Sequence, residues 1–364
     1  MTPLGRELAD LIRADGPLSV ARFMALCLGH PRHGYYLTRD PLGRAGDFVT
    51  APEISQMFGE LIGLWCADAW NRMGAPERVA LVELGPGRGT LMADALRALK
   101  VVPALRATLA VHLVETSPAL MARQRAALEA AGVPAGVPVF WHARLADAPD
   151  GPSLIVANEF LDALPVTQLV RGRDGWHERQ VGLDSDGRLA FGLSPARLPD
   201  SLVPAALRTA PPGSLVEVSP ERAAAVREIA RRLVAHGGAA LIVDYGHTQS
   251  GLGDTLQAVK GHAFADPLAE PGEADLTSHV DFAALAAAAR AEGAAVHGPV
   301  TQGAFLAALG IDVRAARLKA AAPDQAADID AALHRLTAPD AMGNLFKVLA
   351  IADPKLGPLA GFAG

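Results

Sequence analysis

The chain has 364 residues, with 33 Lys plus Arg against 39 Asp plus Glu, a formal net charge of -6 and half of its residues hydrophobic. That size and apolar share support one large elaborated domain or two domains. The acidic balance argues against a dominant nucleic-acid role, because phosphate binding draws on clustered Lys and Arg. The only two cysteines, Cys27 and Cys66, exclude a disulfide scaffold and a zinc or iron–sulfur site built mainly from cysteine.

Residues 1–16 (MTPLGRELADLIRADG) have no apolar signal-peptide core, and Glu7, Asp10 and Asp15 do not suit an acid-poor transit peptide. Leu8, Leu11 and Ile12 have the spacing of a short amphipathic helix. The longest apolar runs, such as 239–243, fall far below the ~20 residues of a membrane span. The expectation is a soluble cytosolic protein with no membrane insertion. Residues 29–52 carry the Gly, Pro and Asp density of an irregular segment. Its aromatics Tyr35, Tyr36 and Phe48 argue against disorder. A helix is expected from Ser55 through Met73.

An α/β pattern follows. The run 79–84 (VALVEL), ended by Gly85, predicts a buried strand, and Thr90 to Leu99 a helix. Strands are expected at 109–114, 137–141 and 154–157, with a helix opened by Ser117 as cap and Pro118 behind it. Strand and helix alternating at this spacing give right-handed βαβ units and a parallel sheet. From 166 to 218 short apolar segments are separated by Asp174-Gly175 and Asp186-Gly187, a hairpin signal that predicts an antiparallel β insertion. The α/β pattern resumes at Ser219-Pro220, with strands at 239–243, 294–300 and 344–351, a helix within 275–292, and helical, Ala-rich sequence over 304–336. The expected organisation is an N-terminal helical or lid segment over 1–75, a core over 76–165 and 219–364, and the insertion over 166–218, with parts of 250–340 as further candidates for it.

The sharpest local chemistry is the glycine turn after the first core strand. Gly85, Gly87 and Gly89 permit a tight turn with close backbone approach to a ligand. Free N–H groups at the following helix start can meet a polar or anionic group. Glu115, at the end of the next strand, is placed to accept hydrogen bonds from ribose hydroxyls. A dinucleotide fingerprint, G-x-G-x-x-G, requires glycine at position 90, which is Thr90. The acid Glu83, two positions before the first glycine, would repel a diphosphate. It suits the cationic amino-acid end of S-adenosylmethionine. A methyl donor is therefore favoured over NAD.

Asn158, Glu159 and Asp162 fall where the fourth strand should end, the edge at which open α/β sheets bind ligands. The competing reading is a helix capped by Asn158. The segment 46–53 (GDFVTAPE) offers Asp47, Thr50 and Glu53, with Thr50 or Ser55 as a helix cap. Tyr245 and His247 follow the fifth strand and could share the cleft. His30 and His33 have H-x-x-H spacing, but with no third ligand in the sequence no metal site is expected.

Taken in order, 29–36 (GHPRHGYY), 46–54 (GDFVTAPEI), 83–89 (ELGPGRG), 114–118 (VETSP), 157–165 (ANEFLDALP), 243–247 (VDYGH), 253–256 (GDTL), 271–277 (PGEADLT), 279–282 (HVDF) and 345–348 (LFKV) resemble the MidA-like family of class I S-adenosylmethionine-dependent methyltransferases. The resemblance runs from about residue 5 to 350. It implies a Rossmann-like seven-stranded α/β sheet with a smaller second substructure. It also implies Gly85, Gly87 and Gly89 against the donor, with Glu115 on its ribose. Glu83, Asp47 and Thr50 complete the candidate donor-binding set. Mitochondrial members are protein arginine methyltransferases linked to assembly of respiratory complex I. The resemblance therefore implies a protein partner, such as a complex I subunit, and no nucleic acid. The family usually has two aromatics after the glutamate; here the second is Leu161. Glu159 and Asp162, with Asn158, are the expected catalytic set, and Asp47 with Glu53 the alternative carboxylate pair. A non-catalytic assembly factor retaining the fold is the rival reading. The sequence does not set the oligomeric state; a homodimer is compatible with it.

Overall fold

The computed structural model describes residues 1–38, 50–132 and 136–362. Contacts divide the chain into two units: 1–48, 162–224 and 249–281 form the smaller, and 49–161, 225–248 and 282–364 the larger.

The larger unit is built on strands β1 (Val79–Leu84), β2 (Leu109–Val114), β3 (Val139–His142), β4 (Ser153–Asn158), β5 (Gly238–His247), β6 (Ala295–Thr301) and β7 (Phe346–Ala352). They lie in the order β6-β7-β5-β4-β1-β2-β3. The strands from β3 to β5 pair in parallel. β7 runs antiparallel between β5 and β6. Every residue of β1 is buried, as a near-continuous apolar run requires. Three helices matter for the site: α1 (Gln56–Arg72), α2 (Thr90–Ala98) and α3 (Pro118–Ala130). The Ser55 hydroxyl caps α1 by accepting from Met57 N–H at 3.2 Å. Ser117 caps α3, with Pro118 in the first turn, where its missing N–H costs nothing. Buried Glu60 on α1 accepts from Arg97 at 3.3 Å and from Arg314 at 2.7 Å, tying α1 to α2 and to the helix Ile311–Ala321.

The boundaries follow the sequence pattern closely, with some differences: the strand expected at 239–243 runs on to His247, and the one expected at 344–351 begins at Phe346 after the short helix Met342–Leu345. The third strand begins at Val139 rather than 137. The helical stretch 304–336 is three helices, Gln302–Ala308, Ile311–Ala321 and Ala326–Thr337, broken at Gly310 (φ 86°) and Pro323. The helix expected within 275–292 is Phe282–Ala291, and Asp275–Thr277 ahead of it is a short strand.

In the smaller unit the insertion forms an antiparallel sheet of Thr167–Arg171, Trp176–Leu183, Leu189–Leu198 and Leu215–Val218. Both Asp-Gly pairs sit at its turns, closed by Gly172 N–H to Gly175 O at 2.7 Å and Asp184 N–H to Arg188 O at 2.9 Å. Leu4, Leu8 and Ile12 of the helix Pro3–Asp15 share one core with Phe23, Met24, Tyr35, Val166 and Val181. The N-terminal segment expected as one piece over 1–75 is thus divided. Its first part packs with the insertion, while α1 packs with the core sheet. An amphipathic stripe states that it needs a partner, not which partner. Residues 249–281 also belong here: Asp254 pairs with Arg179 at 2.6 Å. Among the described residues no helix is long and apolar enough to cross a membrane.

Candidate active site

In the larger unit the chain passes from β1 outward to β2 and β3, then returns to β4 on the other side of β1. Ligands of open α/β sheets bind outside the carboxyl ends of the strands at such a reversal. The glycine turn follows β1 there, and Asn158 ends the adjacent β4.

Gly85, Gly87 and Gly89 have φ of 63°, 53° and 83°, a region that L side chains avoid. Two of them are also demanded by their neighbours. A Cβ on Gly85 would lie 2.8 Å from Cδ2 of Phe160, and one on Gly89 would lie 3.1 Å from the Cα of Gln124. The turn is therefore pressed between the segment after β4 and helix α3. Glu53 closes it from the N-terminal side. One of its carboxylate oxygens accepts from the Thr90 hydroxyl, and the other lies 3.8 Å from the Arg88 guanidinium. Thr50 precedes this glutamate and accepts Glu53 N–H at its carbonyl, 3.0 Å. It does not cap the short helix Ala51–Ile54 through its side chain. Asp47 lies outside the described residues.

Two carboxylates flank the turn. Glu83, on β1, is 3% exposed, and its Oε2 has no hydrogen-bond partner among the described residues. Burial pushes its carboxyl pKa up to about 8. Glu115 follows β2. Its Oε1 accepts from the N–H groups of Thr116 and Ser117, both at 2.7 Å, and its Oε2 from Gln124 Nε2 at 3.1 Å. Burial raises its pKa, and these hydrogen bonds oppose the rise.

Gln124 was not among the expected site residues. It is fully buried on α3, donates to Gly87 O at 2.8 Å, and accepts from Trp141 Nε1 at 2.8 Å. A sequence signal for it exists. The buried stripe of α3 is Leu120, Gln124 and Leu128, one amide in an apolar row.

At the end of β4, Glu159 has φ 49°, left-handed for a non-glycine residue. Its N–H donates to Val243 O at 2.9 Å, and its Oε1 accepts from Ala51 N–H at 3.0 Å and Asn158 Nδ2 at 3.1 Å. Asn158 is buried, with Oδ1 unpartnered among the described residues. No helix begins here, so the capping alternative fails: the chain bends after β4 because Glu159 leaves the extended region. Leu161 is fully buried, and its N–H donates to Asp244 Oδ2 at 3.0 Å. An aliphatic side chain in that core position has no stacking role. Tyr245 and His247, expected after the fifth strand, lie within β5, which runs on to His247; Tyr245 meets Phe346 edge-on at 5.5 Å, and His247 has a buried Nδ1 without a partner among the described residues.

Asp162 belongs to the smaller unit. It is 6% exposed, and its Oδ1 accepts from Ala163 N–H at 2.8 Å. Its carbonyl accepts from buried Arg222 at 2.9 Å and from Ser278 N–H at 3.2 Å. His30 and His33, also in that unit, both face Glu7, at 3.3 and 3.4 Å. An open groove of about 590 Å³ in the same unit is lined by Arg179, Phe191, Leu193, Leu252 and Asp254 among others, and contains none of the expected site residues.

The family model of S-adenosyl-L-methionine-dependent methyltransferases matches residues 61–300. The chain belongs to this family. Mouse mitochondrial protein arginine methyltransferase NDUFAF7 is 39% identical over 96% of the chain and 84% of its own length. The Drosophila melanogaster homologue is 40% identical over 99% and 88%. A Burkholderia thailandensis protein solved with S-adenosylhomocysteine bound shares 28% identity, covers 99% of this chain and 92% of its own, and superposes with a TM-score of 0.85. This methyltransferase therefore uses S-adenosylmethionine, and its own residues fit that donor. An unpartnered buried carboxylate oxygen at Glu83 suits the donor's ammonium group. Glu115 Oε2 keeps an acceptor position for a ribose hydroxyl, and the glycine backbone permits close approach.

Proposed function

We propose that this methyltransferase modifies the guanidinium of an arginine in a protein acceptor, and that the acceptor is a subunit of respiratory complex I in the bacterial cytoplasm. The curated relatives bear the name protein arginine methyltransferase, and the structural relative is bacterial.

Bound at the glycine turn, with Glu83, Gly85, Gly87, Gly89 and Glu115 around it, the donor supplies an electrophilic methyl group. The protein must then place the acceptor nitrogen in line and exclude water; positioning carries most of the rate. Glu159 orients the planar guanidinium through charge-assisted hydrogen bonds. Asn158 holds Glu159 through its Nδ2 and offers Oδ1 as a further acceptor. The observation that carries this assignment is the left-handed backbone of Glu159 at the strand reversal. Such a conformation costs on the order of 1–3 kcal/mol and persists where surrounding structure enforces it, commonly at functional sites. Thr50 and the alternative acid Glu53 brace the donor side of the site, where Glu53 already bonds Thr90.

Glu159→Gln keeps the shape and removes the charge. The variant should bind S-adenosylhomocysteine as the parent does and lose at least a hundredfold in methylation of an arginine-containing acceptor, a typical loss for one charge-stabilising group. Unchanged turnover would remove Glu159 from the mechanism. Donor binding with no arginine methylation of any complex I subunit would favour the assembly-factor reading.

A further inference from the structure

The groove in the smaller unit is built on one face of its antiparallel sheet. Arg179 stands opposite Leu193, Val181 opposite Phe191, and Val170 opposite Leu215. Residues opposite one another share a face. The other face is sealed by a core of Leu169, Trp176, Val203 and Val216. The groove face is left partly open. Leu193 is 50% exposed, and Leu252, which also lines the groove, is 48% exposed. Apolar side chains gathered around a concavity of about 590 Å³ mark a binding surface rather than scattered surface leucines.

The polar end of the groove is held in place. The Arg179 guanidinium lies 3.6 Å from the centroid of the Phe191 ring. Its Nη1 donates to Asp254 Oδ2 at 2.6 Å and to Gln168 Oε1 at 3.0 Å. Gln168, fully buried, donates to Asp254 Oδ1 at 2.8 Å and to Glu217 Oε1 at 2.7 Å. Thr255 fixes Glu217 in turn, through its N–H at 3.1 Å and through its hydroxyl. A guanidinium has five N–H donors. Two are used here, and the other three have no protein partner among the described residues. The Asp254 side chain is 45% exposed. Two carboxylates, Asp254 and Glu217, thus stand against one guanidinium, and Arg179 and Asp254 are the charged groups among the described lining residues. An anion would add a third negative charge to this network, whereas a cation brings it to neutrality. The three N–H groups of Arg179 therefore call for neutral acceptors, and Asp254 calls for a cation. An extended polypeptide supplies both, with backbone carbonyls for Arg179 and a Lys or Arg side chain for Asp254.

We propose that this groove docks an extended segment of the protein acceptor, taking an aliphatic side chain against Leu193 and Leu252 and a Lys or Arg side chain at Asp254. The inference rests on the reading that the acceptor is a protein, and it names the surface that selects one.

The test is selection of phage-displayed random octapeptides on the immobilised full chain, without methyl donor. Enriched peptides are then made with a fluorophore and titrated by anisotropy. The selected peptides should carry an aliphatic residue and a Lys or Arg at a fixed spacing. Leu193→Asp and Leu252→Asp, both at half-exposed positions, should each weaken binding at least tenfold. Asp254→Asn should weaken it about tenfold, the loss expected for one hydrogen bond to a charged group, and replacing the basic residue of the peptide should then cost nothing further. No enrichment, enrichment of acidic peptides, or affinity unchanged in both leucine variants overturns the inference. Because the selection needs no turnover, it fails separately from the catalytic reading. Peptide binding that depends on the leucines in a chain that methylates no arginine supports the groove and removes the arginine assignment. Arginine methylation in a chain that enriches no peptide overturns the groove alone.

Discussion

Glu83 gives a prediction that can be worked through to a number. In the ligand-free protein its carboxyl has a pKa of about 8 because it is buried, with Oε2 unpartnered among the described residues. At pH 7 such a group is protonated about ten to one, and ionising it costs about 1.4 kcal/mol. A donor ammonium beside it stabilises the ionised form. Binding should therefore expel a proton, about 0.9 per site at pH 7. Affinity should rise up to about tenfold per pH unit between pH 6 and 7 and flatten near 8. The assay is calorimetric titration with S-adenosylhomocysteine in buffers of different ionisation enthalpy. Glu83→Gln should bind with no proton release and no pH slope across that window. The same group sets the pH dependence of stability. Its folded pKa lies above its unfolded value of 4.5. Its contribution is therefore fully present below pH 4.5 and is lost as pH rises through 8. Thermal melts should show that loss in the parent, and Glu83→Gln should not. A pH-independent affinity with no proton release in the parent would refute the reasoning, since Glu83 would then be ionised before binding or turned away from the ammonium.

Two further outcomes are expected. Gly89→Ala places a Cβ 3.1 Å from the Cα of Gln124 at a backbone φ of 83°. It should cost roughly 1–2 kcal/mol of stability and weaken donor binding, read by a denaturant melt and a titration; an unchanged melt would show that α3 yields at this contact. Asp162→Ala removes the acceptor of a half-buried turn N–H and should lower stability by about 1–3 kcal/mol with turnover kept at temperatures where the variant is folded. Selective loss of kcat with the parent's melting temperature would instead support Asp162 as the second carboxylate of the catalytic set.

Much of the larger unit was legible because its signals are local. VALVEL can be buried only as a strand, Ser117-Pro118 and Ser219-Pro220 start helices, and the two Asp-Gly pairs turn hairpins. The glycine turn was legible for the same reason, since a strand end and three closely spaced glycines lie within a dozen residues of sequence, and the position of Glu115 because it directly follows the next apolar run, 109–114. The ordered motifs named the methyltransferase family that the comparisons then established.

Only the tertiary structure decided the rest. The sequence could not say that the described residues 1–38 pack with the insertion while α1 packs with the core sheet, because an amphipathic stripe fixes a demand for burial and leaves the partner open. It could not distinguish Asn158 as a cap from Asn158 as the partner of Glu159, because that depends on the backbone turning left-handed at Glu159 under the hold of Val243. Nor could it reveal what Gln124 bonds, since its partners Gly87, Glu115 and Trp141 come from three other elements. Local hydrogen-bonding and hydrophobic periodicity are written along the chain; the meeting of side chains from strands that are neighbours only in the sheet is set by packing.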